Sequence, residues 1–255
     1  MTPPSADGGA AGRGRYGVDA PNVLLGLALG AVGAVVATAA AAAAGWWLAW
    51  VLVPGAVYAV ASAASFAYTT RRGKFAVWAA ELERLGLGGS ERALELGCGR
   101  GAVLVMVAKL LPRGMATGID LWRSQDQSAN AAEATRRNAD AEGVADRVGL
   151  VTGDIRRLPF GDACFDLVVS SLTVHNVSDR QGRDRAISEA YRVLAPGGRL
   201  LVTDFRHAED YAVVLRRLGA DEVAVRDLGW RFWYGGPWFG TRLVTANRGE
   251  SEALA

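Results

Sequence analysis

The chain has 255 residues and a formal net charge of +2. This length suits one α/β domain with an additional segment, and the balanced charge offers no electrostatic footprint for nucleic acid. The only two cysteines are Cys98 and Cys164, and the first lies inside a glycine-rich motif. We therefore expect no structural disulfide and a reducing, cytosolic location. The two histidines, His175 and His207, have no zinc-type spacing with the cysteines, so no metal is expected.

The N-terminal quarter of the chain is predicted to enter a membrane. Residues 1–20 are rich in Gly, Pro and Ala, which predicts a disordered tail. The following 51 residues, between Asp19 and Arg71, carry no charge. A spanning helix needs ~20 apolar residues. Residues 21–70 therefore predict a transmembrane hairpin with spans near 23–44 and 46–68, joined by a turn at Gly45.

Charged and aromatic residues at the ends of the hairpin predict its orientation. Positive residues flank it on both sides, and the connecting turn has none, so both termini should be cytoplasmic. The flanking positive residues are Arg13, Arg15, Arg71, Arg72 and Lys74. Three tryptophans, Trp46, Trp47 and Trp50, would lie at the far interface. Small residues of the first span, Gly26, Gly30 and Gly33 among them, would allow close helix packing. A cleaved signal peptide before a lone anchor, or a buried helix pair of a soluble protein, are the alternatives.

From residue 71 to 248, short apolar runs alternate with helical patterns. This alternation predicts a doubly wound, mostly parallel α/β sheet of seven strands, with helices on both faces and an antiparallel C-terminal strand. Strands are predicted at 92–96, 115–120, 148–152, 165–170, 199–203, 222–227 and 241–247. Helices are predicted at 75–85, 102–111, 128–142, 183–194 and 211–218. Residues 249–255 should form a disordered tail.

The first motif of this domain is ALELGCGRG, from Ala93 to Gly101. An apolar strand enters a glycine-rich turn, and a helix follows. Glycine allows the backbone to pass close to a bound ligand without Cβ clashes. The pattern also fits the dinucleotide turn of Rossmann dehydrogenases, or a tight turn without a ligand.

The second motif is Asp120, at the end of the next strand and 21 residues after Gly99. An acid at this spacing can accept hydrogen bonds from ribose hydroxyls. This spacing does not separate adenosylmethionine from a dinucleotide.

Three further motifs follow in the order GDIRRLPF (153–160), FDLVVSSLTVHNV (165–177) and RVLAPGGRLLVTDF (192–205). Together with the first two, they resemble the class I S-adenosylmethionine-dependent methyltransferases. Within that family, the resemblance is to the small-molecule branch that includes the ubiquinone/menaquinone C-methyltransferases. It extends over roughly residues 93–203, and the LAPGGRLLV and FDLVVS segments are its specific part.

The resemblance implies an adenosylmethionine site without a metal. Glu95, Gly97, Gly99 and Gly101 match the motif that holds the methionine and ribose portions of the cofactor. The remaining matches are Asp120 for ribose, Leu121 for packing on adenine, Asp154 and Ile155 for the adenine edge, and Ser170 and Ser171 beside the reacting methyl.

Two residues after the fourth and fifth strands are candidates for a general base. His175 and Asp204 lie on the side of the sheet where ligands bind in such folds. A base is needed only for some acceptors, such as a hydroxyl. The alternative for each is a structural hydrogen bond in a loop.

The segment from Gly229 to Gly240 contains six aromatic residues. It is expected to form a lid over a hydrophobic substrate, a surface that enters the membrane interface, or part of the core. With the hairpin, it indicates a membrane-anchored methyltransferase acting on a small hydrophobic or lipid-like acceptor. The alternatives are a catalytically silent membrane scaffold with this fold and an NAD(P)-dependent oxidoreductase.

Overall fold

A seven-stranded sheet forms the centre of the protein. The computed structural model describes residues 14–123 and 131–250. The strand order is β3–β2–β1–β4–β5–β7–β6, in which β7 is antiparallel to both β5 and β6 and the other neighbours are parallel. The strands are β1 (Arg92–Leu96), β2 (Met115–Asp120), β3 (Val148–Thr152), β4 (Phe165–Ser171), β5 (Leu194–Asp204), β6 (Asp221–Asp227) and β7 (Arg242–Asn247). The predicted fold class is confirmed.

Seven α-helices accompany these strands in the described part of the chain. They are α1 (Pro21–Ala43), α2 (Leu48–Tyr68), α3 (Lys74–Leu85), α4 (Ala102–Lys109), α5 (Ala132–Ala141), α6 (Arg180–Arg192) and α7 (Ala208–Arg217). The two faces of the sheet have separate cores. One packs against α6 and α7, and the other against α3, α4 and α5. Burial on both faces explains why the central strands are continuous apolar runs.

Most predicted strands agree with the structure to within a residue or two, and β5 is the exception. It begins at Leu194 instead of residue 199, because the Pro196–Gly198 turn is a bulge in the pairing of β4 with β5. The helix predicted at 128–142 is described from Ala132 onwards, and its predicted first residues lie outside the described part.

The predicted hairpin is present as two antiparallel helices, α1 and α2, joined by a turn at Gly45 with φ +69°. Both are long and apolar enough to cross a membrane. Their apolar side chains are mostly exposed, and Trp47 and Trp50 at the turn are 76% and 82% exposed. The hairpin therefore presents an apolar surface that the described part of the protein does not cover.

Of the small residues expected to allow close packing of the first span, the three glycines do not face the partner helix. A Cβ added to Gly26, Gly30 or Gly33 would meet no other atom within 4 Å, so these glycines face away from the partner helix. The buried residues of α1 are instead Ala31 and Ala41. Alanine in this stripe is small enough for the close approach that glycine was expected to provide.

A continuous helix connects the hairpin to the α/β domain. The residues between α2 and α3, Thr69–Gly73, form a π-helical turn instead of the short link expected there. Gly73 is required at this turn because a Cβ would overlap the carbonyl oxygen of Arg231. The hairpin and the domain are thus joined without a flexible linker.

The segment before α1 lies against the domain, unlike the disordered tail that its composition predicts. The backbone amides of Gly14 and Arg15 donate hydrogen bonds to Glu142 (2.7 Å) and Asn138 (2.8 Å) on α5. The Tyr16 ring packs on Phe75 of α3, with centroids 5.4 Å apart. Residues 1–13 and 251–255 of the two predicted tails lie outside the described residues. We name residues 14–19 the strap.

Replacing Gly73 with Ala should destabilise the protein, because the new methyl group forces the Arg231 backbone away from the helix. We expect a loss of about 1–3 kcal/mol, the usual cost of overpacking, seen as a lower Tm in detergent. Gly55→Ala is the matched control, since Gly55 is also helical and a Cβ there meets nothing within 4 Å. Equal Tm values for the two variants would contradict the tight packing at Gly73.

Candidate cofactor site

A cavity of about 330 Å³ opens at the carboxyl end of the parallel strands. This volume lies in the range of small-molecule sites. Its lining includes the residues that directly follow β1, β2, β3 and β4, which are Gly97, Leu121, Gly153 and Leu172. Ligands bind at this edge in doubly wound sheets, where the strand order reverses on either side of β1.

The glycine-rich turn forms one wall of the cavity. Gly97 has φ +65°, and a Cβ there would overlap the side chain of Thr173. The Thr173 hydroxyl donates a hydrogen bond to the Gly97 carbonyl oxygen (3.1 Å). The turn is therefore held against the loop that follows β4. Gly97 and Gly99 both line the cavity, as the sequence predicts.

Gly101 was expected to contact the cofactor, but it is not among the cavity-lining residues. It precedes α4 with φ +79°, and a Cβ there would lie 2.7 Å from the methyl group of Thr135 on α5. The Thr135 hydroxyl also donates a hydrogen bond to the Gly99 carbonyl oxygen (2.6 Å). The packing of α5 on the turn thus explains why residue 101 is a glycine.

Glu95 contributes a buried carboxylate to the cavity. Its side chain is 3% exposed, and its Oε2 atom has no hydrogen-bond partner among the described residues. Burial raises the pKa of Glu95 well above its usual range, and Asp120 adds to the rise, whereas the Leu104 amide and the Lys74 ammonium oppose it. An unpaired buried acceptor is costly, so the site fits a ligand that brings a hydrogen-bond donor or a positive charge.

Asp120 and Asp154 lie at the ends of β2 and β3, and both line the cavity. Asp120 accepts hydrogen bonds from the amides of Gly99 (2.8 Å) and Trp122 (2.6 Å), which orient its carboxylate. Asp154 forms a two-point ion pair with Arg156, which lowers the pKa of Asp154. Leu121 and Ile155 line the cavity beside them.

Of the two serines predicted beside the reacting methyl, Ser171 lines the cavity and Ser170 does not. Ser170 is fully buried and donates a hydrogen bond to the Leu96 carbonyl oxygen (3.2 Å). Ser171 lines the cavity and accepts a hydrogen bond from the buried Trp78 indole (3.0 Å). Strand β4 is one residue longer than predicted, and alternate residues of a strand point to opposite faces.

The two candidate bases lie close together but outside the cavity lining. Asp204 is fully buried, and His175 Nδ1 lies 2.8 Å from its Oδ1. The Asp204 carboxylate also accepts hydrogen bonds from the His175 amide (3.0 Å) and the Tyr211 hydroxyl (3.2 Å). These contacts give both residues a structural role, because they hold the loops after β4 and β5 together. This is the structural alternative to the expected general base.

Asp19 and Lys74 are among the cavity residues that sequence reasoning missed. Lys74 donates to both Asp19 oxygens, at 2.7 and 2.8 Å. Asp19 also accepts hydrogen bonds from the hydroxyls of Tyr234 (2.8 Å) and Thr70 (3.0 Å). Burial, together with Asp19, raises the pKa of Tyr234 well above its usual range, so the phenol remains a donor. The only sequence signal was a lone acid before the uncharged stretch.

The raised pKa of Glu95 predicts that binding of adenosylmethionine is linked to proton release. The ammonium group of the ligand favours the ionised carboxylate, so affinity should rise as pH increases above the usual range of a Glu. In Glu95→Gln this part of the pH dependence should disappear. Calorimetry in buffers of different ionisation enthalpy counts the released protons.

The control is Glu133→Gln, because the Glu133 side chain is 70% exposed on α5. Proton release that persists unchanged in Glu95→Gln would show that Glu95 does not face the ligand.

Comparisons with known proteins agree with this geometry. Residues 94–202 match a family model described as a methyltransferase domain. The ubiquinone/menaquinone biosynthesis C-methyltransferase UbiE of Roseobacter denitrificans is 36% identical over 115 residues, 45% of this chain and 42% of the relative. The 27-O-demethylrifamycin SV methyltransferase of Amycolatopsis mediterranei is 35% identical over 145 residues, 57% and 48% of the two chains. The chain thus spans less than half the length of these relatives.

A solved structure shares the fold. The [4+2]-cyclase SpnF has a TM-score of 0.59 and 24% identity, over 71% of this chain and 83% of SpnF. The strand order, the glycine-rich turn and the family match at residues 94–202 all indicate a methyltransferase fold. The sheet therefore has the α/β fold of methyltransferases, and residues 94–202 are similar to a methyltransferase domain.

Proposed function

We propose that this protein is a membrane-anchored methyltransferase that transfers a methyl group from adenosylmethionine to a small hydrophobic or lipid-like acceptor. The observation that carries the cofactor assignment is the buried, unsatisfied Glu95 oxygen in a cavity that also contains Asp120 and Asp154. These carboxylates are spread along the ends of three neighbouring strands. The arrangement fits an elongated ligand with a cationic end, a ribose and an adenine.

The chain's own residues have positioning roles in this proposal. When bound, the cofactor would supply a methyl group activated by its sulfonium; the acceptor attacks this carbon in line, and the sulfur leaves as a neutral thioether. Glu95 would accept from the ammonium group, Asp120 from the ribose hydroxyls, and Asp154 from the adenine amino group. Leu121 and Val177 give the cavity apolar walls that exclude water. Holding the two reactants in an aligned geometry accounts for most of what a protein must do in such a transfer.

The hydrophobic acceptor is inferred from the hairpin and from the relatives. One relative is named for quinone biosynthesis and another for a rifamycin, so their names agree on small molecules but not on the acceptor. The anchor would hold the domain at the membrane, where apolar acceptors accumulate. Because the fold neighbour SpnF is described as a cyclase, fold alone does not establish methyl transfer.

Membrane anchoring is supported by the burial pattern of the hairpin. In the most apolar window of α1 only 6% of residues are buried, and in that of the helix from Leu48 to Leu85 only 17%. A helix pair in the core of a soluble protein would be mostly buried. Asp19, directly before α1, is bound to Lys74 and Tyr234, so α1 remains tied to the domain, unlike a cleaved signal peptide.

The test of the function is transfer of label from radiolabelled adenosylmethionine to extracted membrane lipids by the full-length protein. Asp120→Asn should bind the cofactor more weakly, by about 1–3 kcal/mol, because it removes the charge from the ribose contact. It should lower transfer in parallel. Asp166→Asn is the control, since Asp166 opens β4 at the opposite end of the sheet. Cofactor binding without transfer would favour the silent scaffold, and NAD(P)H binding would favour the oxidoreductase.

The proposed topology predicts that both termini are cytoplasmic. Arg71 and Arg72 are exposed where α2 ends, and the turn at Gly45 has no charged neighbour within the hairpin. Reporter fusions at the two termini should both show a cytoplasmic signal, and a fusion in the turn should not. An external C-terminus would contradict the proposal, because adenosylmethionine is a cytosolic metabolite.

A further inference from the structure

The segment from Gly229 to Gly240, which we name the aromatic loop, connects β6 to β7 and runs along α2. Hydroxyl groups of α2 hold its backbone. Ser62 donates to the carbonyl oxygen of Gly235 (2.7 Å), and Ser65 and Thr69 both donate to that of Trp233 (3.1 and 2.7 Å). The loop therefore follows the helix, while its Phe232 remains fully buried in the core on the α3 side of the sheet.

Ring contacts continue this docking. Tyr68 stacks on Trp230 with centroids 5.4 Å apart, and Phe66 meets Tyr234 edge to face at 5.1 Å. At the tip of the loop, a Cβ on Gly236 would lie 3.6 Å from the Tyr58 hydroxyl. Successive loop residues thus lie beside successively earlier turns of α2, from Tyr68 back towards Tyr58.

The length of α2 sets the depth of the loop tip in a bilayer. The 21 residues from Leu48 to Tyr68 extend about 31 Å, close to the ~30 Å hydrocarbon thickness. Ser62 is six residues before Tyr68, or about 9 Å along the axis. The loop tip at Gly235, bonded to Ser62, would then lie about 9 Å below the level at which α2 leaves the hydrocarbon.

The chemistry of the loop changes along this depth. Arg231 is its only charged residue, and it lies at the base, near Gly73 and the exposed Arg71. The rings further along are exposed, Trp238 by 76% and Phe239 by 45%. Trp238 also borders a second cavity, whose charged residues include Arg206 and Asp227 of the domain. Basic residues at the headgroup level with aromatic rings below them are typical of a membrane interface.

Irregular backbone enters hydrocarbon only where its polar groups are satisfied. The carbonyl oxygens of Trp233 and Gly235 point at α2 and are bonded by its serines and threonine. Without the loop, these hydroxyl groups would face lipid, which offers them no hydrogen-bond acceptor. The hydroxyl groups of Ser62, Ser65 and Thr69 and the loop carbonyl oxygens therefore satisfy each other's hydrogen-bonding needs.

We propose that the aromatic loop is a third membrane element, inserted beside the hairpin into the leaflet on the domain side, with its exposed rings among the acyl chains. This inference rests on the proposed membrane anchor. It also connects the bilayer to the cofactor cavity, because Tyr234 of the loop binds Asp19, which lines that cavity.

The test measures the depth of spin labels in full-length protein reconstituted into phosphatidylcholine–phosphatidylglycerol vesicles. Cys164 is replaced by Ser, and Cys98 is buried. Single cysteines are introduced as Trp238→Cys in the loop, Val57→Cys on the exposed side of α2, and Glu133→Cys on the domain surface. Collisions with oxygen report lipid, and collisions with a water-soluble nickel chelate report solvent.

We expect the Trp238 label to resemble the Val57 label, with collisions with the chelate several-fold fewer than at Glu133. A Trp238 label as accessible to the chelate as Glu133, with Val57 protected, overturns the loop insertion and leaves the anchor intact. A solvent-accessible Val57 label overturns the anchor and the insertion together. Phe239→Cys repeats the measurement should Trp238→Cys lower the Tm.

Discussion

The ion pair between Lys74 and Asp19 joins the parts of this protein that are far apart in sequence. Lys74 begins α3, Asp19 ends the strap, and the Tyr234 hydroxyl brings in the aromatic loop. The Lys74 and Asp19 side chains are only 6% and 20% exposed. Leaving one charge of such a pair buried and unpaired typically costs about 3–5 kcal/mol. The positions of the strap, the end of α2 and the aromatic loop are therefore coupled through this buried ion pair.

This ion pair also forms part of the wall of the cofactor cavity. The parallel strands supply three sides through the turns after β1, β2 and β4, as the fold requires. Asp19 and Lys74 close the remaining side from the region next to the hairpin. The residues that would enclose the ligand and those that would meet the membrane are thus bonded neighbours.

The sheet could be predicted from the sequence because local patterns determine it. Strand β1, the glycine turn and Asp120 are encoded within a short stretch, and their predicted positions agree with the structure. Features that depend on distant partners could not be predicted in this way. Gly101 owes its identity to Thr135 on another helix, and Asp19 owes its place to Lys74, 55 residues later.

Other differences arise from orientation, which residue type does not reveal. Of the adjacent Ser170 and Ser171, only Ser171 lines the cavity, because successive residues of β4 point to opposite faces. His175 lies in a loop whose neighbours line the cavity, yet its ring turns to the buried Asp204 and packs on Phe205, with centroids 4.5 Å apart. A sequence pattern places such a residue near the site but does not fix the direction of its side chain.

The unbroken helix from Leu48 to Leu85 has a mechanical consequence in the proposed membrane setting. Spanning helices tilt when the hydrocarbon layer is thinner than their apolar length. Because the π-helical turn at Thr69–Gly73 replaces a flexible joint, the domain has to tilt with the hairpin. Bilayer thickness would then set the angle at which the cavity faces the lipid surface, so the same enzyme would present its site differently in membranes of different composition.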